Sequence, residues 1–140
     1  ARMNVYYGTY GGLPPWQFEW ILAGLPVPVQ PGRASACTPL HEDDIYNQVG
    51  GLLAAARVPA TIVNWGGDET VDVRTYCSYM AEITGLKVEF QDAPDDPLAA
   101  KTVVADNTRR RDLAGDCQVK WREGMRRVIA ARHPEIKLKA

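Results

Sequence analysis

The chain of 140 residues and 15.5 kDa is about one domain's worth of polypeptide. Hydrophobic residues make up 46% and charged residues 24% of the sequence, a mixture that is typical of a water-soluble globular protein and excludes collagen-like, low-complexity and disordered classes. No stretch approaches the roughly 18 consecutive apolar residues of a membrane-spanning helix, and we expect no secretory signal.

The net charge of −1 at pH 7 conceals an uneven distribution along the chain. Residues 1–107 carry 6 Lys and Arg against 13 Asp and Glu, whereas residues 108–140 carry 10 against 4. Clustered basic residues are typical of proteins that bind nucleic acid or an acidic partner. They are also typical of the solvated face of an amphipathic helix, which the acids Asp112, Asp116 and Glu123 favour here. A non-enzymatic binding module with a basic helical face therefore remains an alternative.

The three cysteines, Cys37, Cys77 and Cys117, are widely spaced and form no C-x-x-C pair. The chain has only two histidines, so the pattern gives little support to a zinc site or a disulfide framework. We expect no bound metal, reduced thiols and a cytoplasmic location.

The first forty residues predict a short strand, a helix and an irregular segment. β-branched and aromatic residues cut off by glycine are typical of a strand that ends at about Gly8. Pro14 and Pro15 are placed to open a helix that ends at Gly24. Residues 25–39 contain four prolines, which disfavour a helix and a central strand and predict an extended surface segment or a sheet edge.

Helices and strands alternate in the middle of the sequence. A helix is predicted over residues 42–57, with acids in its first turn that suit the helix dipole. A short buried strand over residues 60–65 and a helix from about residue 73 to Gly85, capped by Thr70 or Asp72, come next. The apolar stripe of the first helix comprises Ile45, Val49, Leu52, Leu53 and Ala56.

The last third of the sequence is predicted to be mostly helical. A half-buried strand over residues 86–90 leads into a loop rich in Asp and Pro over residues 91–100. A short helix near residues 106–113 and a longer one near residues 121–132 follow, and the inward positions of the longer one are Trp121, Met125, Val128 and Ile129. The fold class is therefore α/β, without internal repeats.

Local polar motifs carry little catalytic chemistry. Residues 41–44 (His-Glu-Asp-Asp) contain competent metal ligands, but consecutive helical residues point in different directions and do not converge on one ion. Residues 66–69 (Gly-Gly-Asp-Glu) lack the spacing of a phosphate loop and favour a tight turn between strand and helix. Cys77 lies on an apolar stripe, which favours a core position over a nucleophile.

An aromatic strip lies among glycines and prolines near the N-terminus. Such residues line ligand pockets, and they also fill irregular cores, so the residues alone leave both interpretations open. The strip comprises Tyr6, Tyr7, Tyr10, Trp16 and Trp20.

Several short motifs follow one another in a recognisable order. They are residues 2–8, 21–29, 38–45 and 64–67, then 106–109 with 113–115, and finally 121–125. In this order they resemble the C-terminal half of the extended short-chain dehydrogenases, the NAD-dependent epimerase/dehydratase family. The resemblance covers nearly the whole chain and implies the C-terminal part of a Rossmann-type enzyme, with helices and a few short strands.

The resemblance also implies what the chain lacks. In that family the preceding part carries the glycine-rich dinucleotide fingerprint and the catalytic Tyr-x-x-x-Lys, and neither occurs here. We therefore expect residues 1–140 to be a single substrate-binding portion that has no catalytic residue, is inactive alone and does not begin at a natural start. NAD or NADP would bind only in the complete enzyme. The expected partners are a small-molecule substrate and the missing Rossmann part, or a second copy of the chain, with no membrane and no nucleic acid.

Site residues follow from the resemblance position by position. Asn4 matches the family asparagine that closes over substrate, and Arg2 and Met3 match backbone that runs near the nicotinamide. We also place Tyr10 and Trp16 at the mouth of the substrate pocket, because the nearby glycines let the backbone turn and the rings cover a ligand.

Two departures from the family pattern concern the substrate. Members of that family that act on nucleotide sugars resemble one another in having two arginines that hold the diphosphate of the substrate. One arginine lies four residues before the histidine that corresponds to His41, and the other lies in the loop before the closing helices. Cys37 occupies the first position, and the loop over residues 91–101 has three aspartates and no arginine. Arg33 would compensate only if the loop folds back. We therefore favour an epimerase, dehydratase or reductase of a small carbonyl or hydroxyl compound, with a sugar-nucleotide enzyme fragment as the alternative.

Overall fold

The computed structural model describes residues 1–96, 99 and 101–139. Within them the chain forms five α-helices and nine strands of two or three residues, which confirms the predicted α/β class. No helix of this described part has the length and apolar character to cross a membrane. The helices are α1 (Leu13–Leu22), α2 (Glu42–Ala54), α3 (Val73–Thr84), α4 (Thr108–Ala114) and α5 (Trp121–Arg132). The strands are β1 (Arg2–Met3), β2 (Tyr6–Gly8), β3 (Gly11–Gly12), β4 (Val27–Val29), β5 (Ala36–Cys37), β6 (Leu40–His41), β7 (Asn64–Trp65), β8 (Val71–Asp72) and β9 (Phe90–Asp92).

The described strands pair into four small sheets. β1 pairs in parallel with β7, so that Arg2 lies opposite Asn64 and Met3 opposite Trp65. β2 lies between antiparallel β3 and parallel β6. β4 is parallel to β9, and β5 is antiparallel to β8. Sheets of two or three such short strands are marginally stable by themselves, so packing against the helices must stabilise them.

The hydrophobic core lies between α1, α3 and α5. From α3 it takes Tyr76, Cys77 and Met80, which are at most 1% exposed. Gly124 of α5 lies directly against Tyr7, where a β-carbon would overlap the phenol ring, so glycine permits the close approach of helix and strand. The inward residues predicted for α5 are confirmed as buried: Trp121, Met125, Val128 and Ile129.

The predicted ends of α3 are confirmed. Asp72 caps the helix, because its carboxylate accepts a hydrogen bond from the backbone N–H of Arg74 at 2.8 Å. The same carboxylate accepts the N–H of Ser35 at 2.7 Å and so ties the proline-rich segment to the helix. Gly85 ends the helix at φ 76°, a left-handed conformation that favours glycine.

The proline-rich segment over residues 25–39 is less peripheral than the sequence predicts. Val27 and Val29 are 0% and 1% exposed, so of the two predicted alternatives the surface segment is wrong for β4 and the sheet edge agrees with its one described neighbour. Pro28 is compatible with this strand because β4 has one described neighbour, β9, and an edge position does not require a second row of N–H donors.

Helix α2 lies where the sequence predicts it, and its most deeply buried side chains are polar. Asp44 and Gln48 are the buried residues of this helix, whereas Val49 is 39% exposed and Leu53 is 69% exposed. The helical spacing of the apolar stripe is confirmed, but the stripe is only partly covered: Ile45 and Leu52 are half-buried, and Val49, Leu53 and Ala56 are exposed.

Hydrogen bonds explain why the polar face of α2 is buried. The Asp44 carboxylate accepts the backbone N–H groups of Gln118 at 2.7 Å and Val119 at 3.3 Å, ahead of α5. The amide oxygen of Gln48 accepts the indole N–H of Trp65 at 2.8 Å. These partners satisfy polar groups that would otherwise be costly to bury.

The two remaining predicted strands are displaced. The strand predicted over residues 60–65 is reduced to β7, and Ile62 is 54% exposed although Val63 and Trp65 are buried. Leu86 to Phe90 shows the predicted alternation of burial, but the ladder begins only at Phe90, where it meets β4. The predicted loop from residue 91 begins as β9, and residues 97, 98 and 100 lie outside the described part.

A buried polar cluster holds α4 against the turn after β7. Arg110 is 0% exposed and forms an ion pair with Asp68, whose second oxygen accepts the N–H of Cys117 at 2.6 Å. The Asn107 side chain bridges the turn, since it accepts the N–H of Gly66 at 3.0 Å and donates to the carbonyl of Gly67 at 2.8 Å. These contacts hold the turn against α4 and the segment that precedes α5.

Candidate functional site

Asn4 lies where β1 ends, and its side chain connects three segments. The carboxamide oxygen accepts the backbone N–H groups of Val5 at 2.9 Å and Thr38 at 3.2 Å. The carboxamide nitrogen donates to the carbonyl of Val103 at 3.0 Å. Asn4 therefore braces the β1 end, the start of the β6 segment and the strip around residue 103.

Residues 101–103 run beside the proline-rich segment. Val103 donates its N–H to the carbonyl of Ala36 at 2.7 Å and forms a bridge with Cys37. The hydroxyl of Thr102 donates to the carbonyl of Ala34. This pairing places Asn4 near one end of the strip and Lys101 at the other.

A cavity of about 560 Å³ lies at the Lys101 end of this strip. Arg33, the residue expected to compensate for the missing arginine, lines it. The cavity is lined by Gln30, Arg33, Ala34, Lys101 and Thr102. No sequence motif singles out Lys101, whose only signal is a cation at the end of an acidic loop.

The predicted aromatic strip divides between surface and core. Tyr10 is 95% exposed and Trp16 is 59% exposed, so both rings are available to a ligand. Tyr7 is buried, and this burial raises the pKa of its phenol well above its ordinary value. No hydrogen bond or ring contact joins Tyr10 or Trp16 to Asn4 in the described residues. Their common role at a pocket mouth stays a prediction.

The cysteine at the family's arginine position is not a reactive group. Cys37 is 3% exposed, and burial together with the charge of Asp72 raises the pKa of its thiol to about 12. The thiol is therefore protonated at neutral pH and offers neither a nucleophile nor a cation. Burial likewise raises the pKa of Cys77, which occupies the predicted core position.

The acidic motif over residues 41–44 is used for structure. Its four side chains have separate partners, and the described residues contain no group of three or more that could hold a metal ion. Burial lowers the pKa of His41, whose ring accepts the N–H of Asp43 and caps α2. The other partners are the N–H of Thr9 for Glu42, the guanidinium of Arg127 for Asp43, and the N–H of Gln118 for Asp44.

Both glycine N–H groups of the turn after β7 already have acceptors within the chain. The N–H of Gly66 donates to Asn107, and that of Gly67 donates to the carbonyl of Thr38 at 2.9 Å. Arg2 and Met3 lie on exposed β1, and their place near a nicotinamide stays a prediction. The residues present therefore do not fit the task of holding NAD by themselves.

The basic C-terminal residues are largely committed to the fold. All seven arginines after Asn107 have intramolecular partners: Arg109 with the Ile62 carbonyl, Arg110 and Arg111 with Asp68, Arg122 over the Trp121 ring at 4.4 Å, Arg126 with the Lys139 carbonyl, Arg127 with Asp43, and Arg132 with Glu19. Each of these arginines therefore has a structural contact within the described part of the chain.

The contacts of Asn4 add a structural role to the expected ligand role. We predict that Asn4→Ala lowers the free energy of unfolding by about 1 to 3 kcal/mol, because partly buried backbone groups lose their partners. Urea denaturation followed by circular dichroism measures the change. Tyr10→Ala is the matched control and should change stability by less than about 0.5 kcal/mol, because the ring is exposed. An unchanged Asn4→Ala midpoint would contradict the bracing role.

Comparisons with known proteins identify the architecture. The sequence matches no protein-family model and no curated protein sequence. The structure is similar to the UDP-glucose 4-epimerase of Thermus thermophilus in complex with NAD, with TM-score 0.73 and 24% identity over 94% of this chain and 45% of that one. It is similar to the UDP-glucuronic acid 4-epimerase of Bacillus cereus, with TM-score 0.77 and 16% identity over 96% of this chain and 44% of that one.

A third solved structure agrees with these two. It is the epimerase Mth375 of Methanothermobacter thermautotrophicus, with TM-score 0.69 and 23% identity over 93% of this chain and 41% of that one. The chain thus spans less than half the length of the proteins that it matches. Identities of this size establish fold and not substrate. The chain has the fold of the C-terminal portion of the NAD-dependent epimerases and dehydratases, the extended short-chain dehydrogenases, as its sequence motifs predict.

Proposed function

We propose that this chain is the substrate-binding C-terminal portion of an NAD- or NADP-dependent epimerase, dehydratase or reductase. The observation that carries the proposal is a fold shared over at least 93% of the chain with solved enzymes of which it spans at most 45%. The remaining length of such an enzyme is where the dinucleotide-binding part and the catalytic residues would lie. Residues 1–140 then form one substrate-binding unit that is inactive alone.

An open apolar surface supports the proposal that a separate dinucleotide-binding part packs against this chain. The outward stripe of α2 and the segment before β7 line a shallow cavity of about 250 Å³. We call this surface the α2 face; its apolar members include Val49, Leu52, Leu53, Ala56 and Val63. Exposed apolar patches rimmed by polar residues mark interfaces. The dinucleotide-binding part is the occupant that we assign to it, because β1 and β7 form an isolated parallel pair that a larger parallel sheet would extend.

The substrate that we propose is a small carbonyl or hydroxyl compound rather than a nucleotide sugar. Buried Cys37 occupies the position of one diphosphate arginine, and the described loop residues after β9 supply no other. The Bacillus cereus enzyme is in complex with UDP-glucuronic acid and NAD, but a diphosphate needs cations that these two positions do not provide here. A sugar-nucleotide enzyme remains the second candidate, since Arg33 lies in a cavity nearby.

Cofactor titration tests the proposal. We expect no change of NADH or NADPH fluorescence with the 140-residue chain at micromolar concentrations, and micromolar binding by a polypeptide that also includes the residues encoded immediately upstream of Ala1. The upstream polypeptide would contain a strand followed by a glycine-rich turn and a Tyr-x-x-x-Lys pair. Cofactor binding by the 140-residue chain alone would contradict the assignment, as would an upstream region that encodes no such sequence.

A non-enzymatic basic module predicts a different result. Such a chain would form a complex with duplex or single-stranded nucleic acid that weakens steeply as salt rises from about 50 to 200 mM. The paired arginines of α4 and α5 lead us to expect no such complex in a mobility-shift assay.

A further inference from the structure

The cavity beside Arg33 and Lys101 suggests which chemical group the substrate contains. This inference rests on the proposed function. We propose that these two cations bind an anionic group, a carboxylate or a phosphate, of the small carbonyl or hydroxyl substrate. Arg33 lies four residues before Cys37, outside the two arginine positions described above, and Lys101 ends the loop in which the second of these positions lies. The cavity volume of about 560 Å³ is in the range of small-molecule sites.

Hydrogen bonds brace both walls of the cavity. The Gln30 side chain donates to the carbonyls of Pro94 and Ala99, each at 3.4 Å, and so holds the loop after β9 against the end of β4. Thr102 ties the opposite strand to the carbonyl of Ala34. The two cations therefore extend from backbone that is already ordered, which lowers the entropic cost of binding an anion.

The charges around the cavity favour an anion. Both charged side chains among its described lining residues are cations. Of the aspartates in the adjacent loop, Asp92 is paired with Arg74 of α3 at 3.4 Å, and Asp95 and Asp96 do not line the cavity. Among the described residues of this loop, Lys101 therefore lines the cavity and the three aspartates do not. Two cations at one site attract an anion more strongly than either cation alone.

The strip over residues 101–103 relates this cavity to the expected catalytic end of the substrate. Val103 contacts Asn4 at the end of β1, and Lys101 lies two residues away on the same extended strip. Two residues of extended chain span about 6 to 7 Å. A molecule of a few carbon atoms could therefore place its anionic group at the cavity and its reacting group toward β1.

Titration of the 140-residue chain with simple anions tests the inference. The probes are inorganic phosphate and malonate, added at constant ionic strength set with sodium chloride, and the readout is the ¹⁵N–¹H spectrum. We expect saturable shifts confined to amides of residues 30–34 and 101–103, with one probe bound more tightly than the other. The tighter probe identifies the anion class.

Variants distinguish a built site from general attraction. Arg33→Gln and Lys101→Gln should each weaken binding about 5- to 10-fold, and the double variant should abolish saturation. Lys87→Gln, an exposed lysine ahead of β9, is the matched control and should bind as the unsubstituted chain does. Well-dispersed spectra show that each variant is folded. If neither probe gives saturable shifts, or if Lys87→Gln weakens binding as much as the cavity variants, the inference is wrong.

This outcome is separable from that of the proposed function. Anion binding is measured on the 140-residue chain without any dinucleotide, whereas the proposed function depends on NADH or NADPH binding by the longer polypeptide. If the longer polypeptide binds the cofactor and the 140-residue chain binds neither anion, the proposed function stands and only the proposal of an anionic substrate is wrong.

Discussion

Asp68→Ala is expected to lower the free energy of unfolding by about 3 to 5 kcal/mol, because it leaves a buried arginine without its counter-charge. Arg110 is 0% exposed, and Asp68 is its ion-pair partner. The substitution also removes the acceptor of the Cys117 N–H. Both losses fall on the segment that holds α4 and the start of α5 against the turn after β7.

Chemical denaturation measures this effect. Asp112→Ala, at an exposed position of α4, is the control and should change stability by no more than about 0.5 kcal/mol. Arg110→Met in the Asp68→Ala background should recover part of the loss, since no unpaired charge then remains buried. A loss below about 1 kcal/mol for Asp68→Ala would contradict the structural role of the pair.

The same carboxylate should contribute to acid sensitivity. Burial opposes ionisation of Asp68, but the N–H of Cys117 and the guanidinium of Arg110 outweigh burial and lower its pKa below the ordinary value of 3.8. A carboxyl whose pKa is lower in the folded state stabilises fully above its unfolded pKa and loses that contribution as pH falls below it. Stability should therefore decline below about pH 4, and the decline should be smaller in Asp68→Ala.

Self-association through the α2 face is the second large effect that we expect. Without the dinucleotide-binding part, the 140-residue chain should associate through Val49, Leu53 and their neighbours, with a mass by light scattering above 15.5 kDa at high concentration. Burying each such side chain contributes about 1.5 to 3 kcal/mol. The double variant Val49→Glu/Leu53→Glu should therefore weaken association at least about 100-fold and elute as a monomer.

The matched control for this experiment is Asn47→Glu, which adds a negative charge at an exposed position of α2 outside the α2 face. It should associate as the unsubstituted chain does. A chain that is monomeric at every concentration would contradict an open interface, and equal effects of the control and the double variant would assign the association to net charge.

Local signals located most of the helices. Proline at the start of α1, the Asp72 cap and the Gly85 terminus of α3 act within a few residues of the chain, so the sequence alone predicts them. The same holds for α5, whose apolar residues recur at helical spacing and pack against α3. Such elements agree with their own pattern because the surface that buries them is present in the chain.

The orientation of α2 depended on partners distant in sequence. The sequence shows an apolar stripe on this helix, but the residues that are buried are Asp44 and Gln48, whose hydrogen-bond partners lie 74 and 17 positions away. Periodicity identifies the faces of a helix and does not say which protein surface covers each one. The exposed part of this stripe is the basis for the interface that we propose at the α2 face.

For the candidate site, too, some features follow from the sequence and others only from the tertiary structure. The motifs around Asn4, Cys37 and residues 41–44 are contiguous, so the sequence by itself determined the resemblance, the absence of a dinucleotide fingerprint and the cysteine at position 37, where the resemblance implies an arginine. Only the tertiary structure decided that Lys101 joins Arg33 at one cavity. Those residues are 68 positions apart, and their meeting depends on hydrogen bonds such as that of Thr102 to Ala34, which no local pattern encodes.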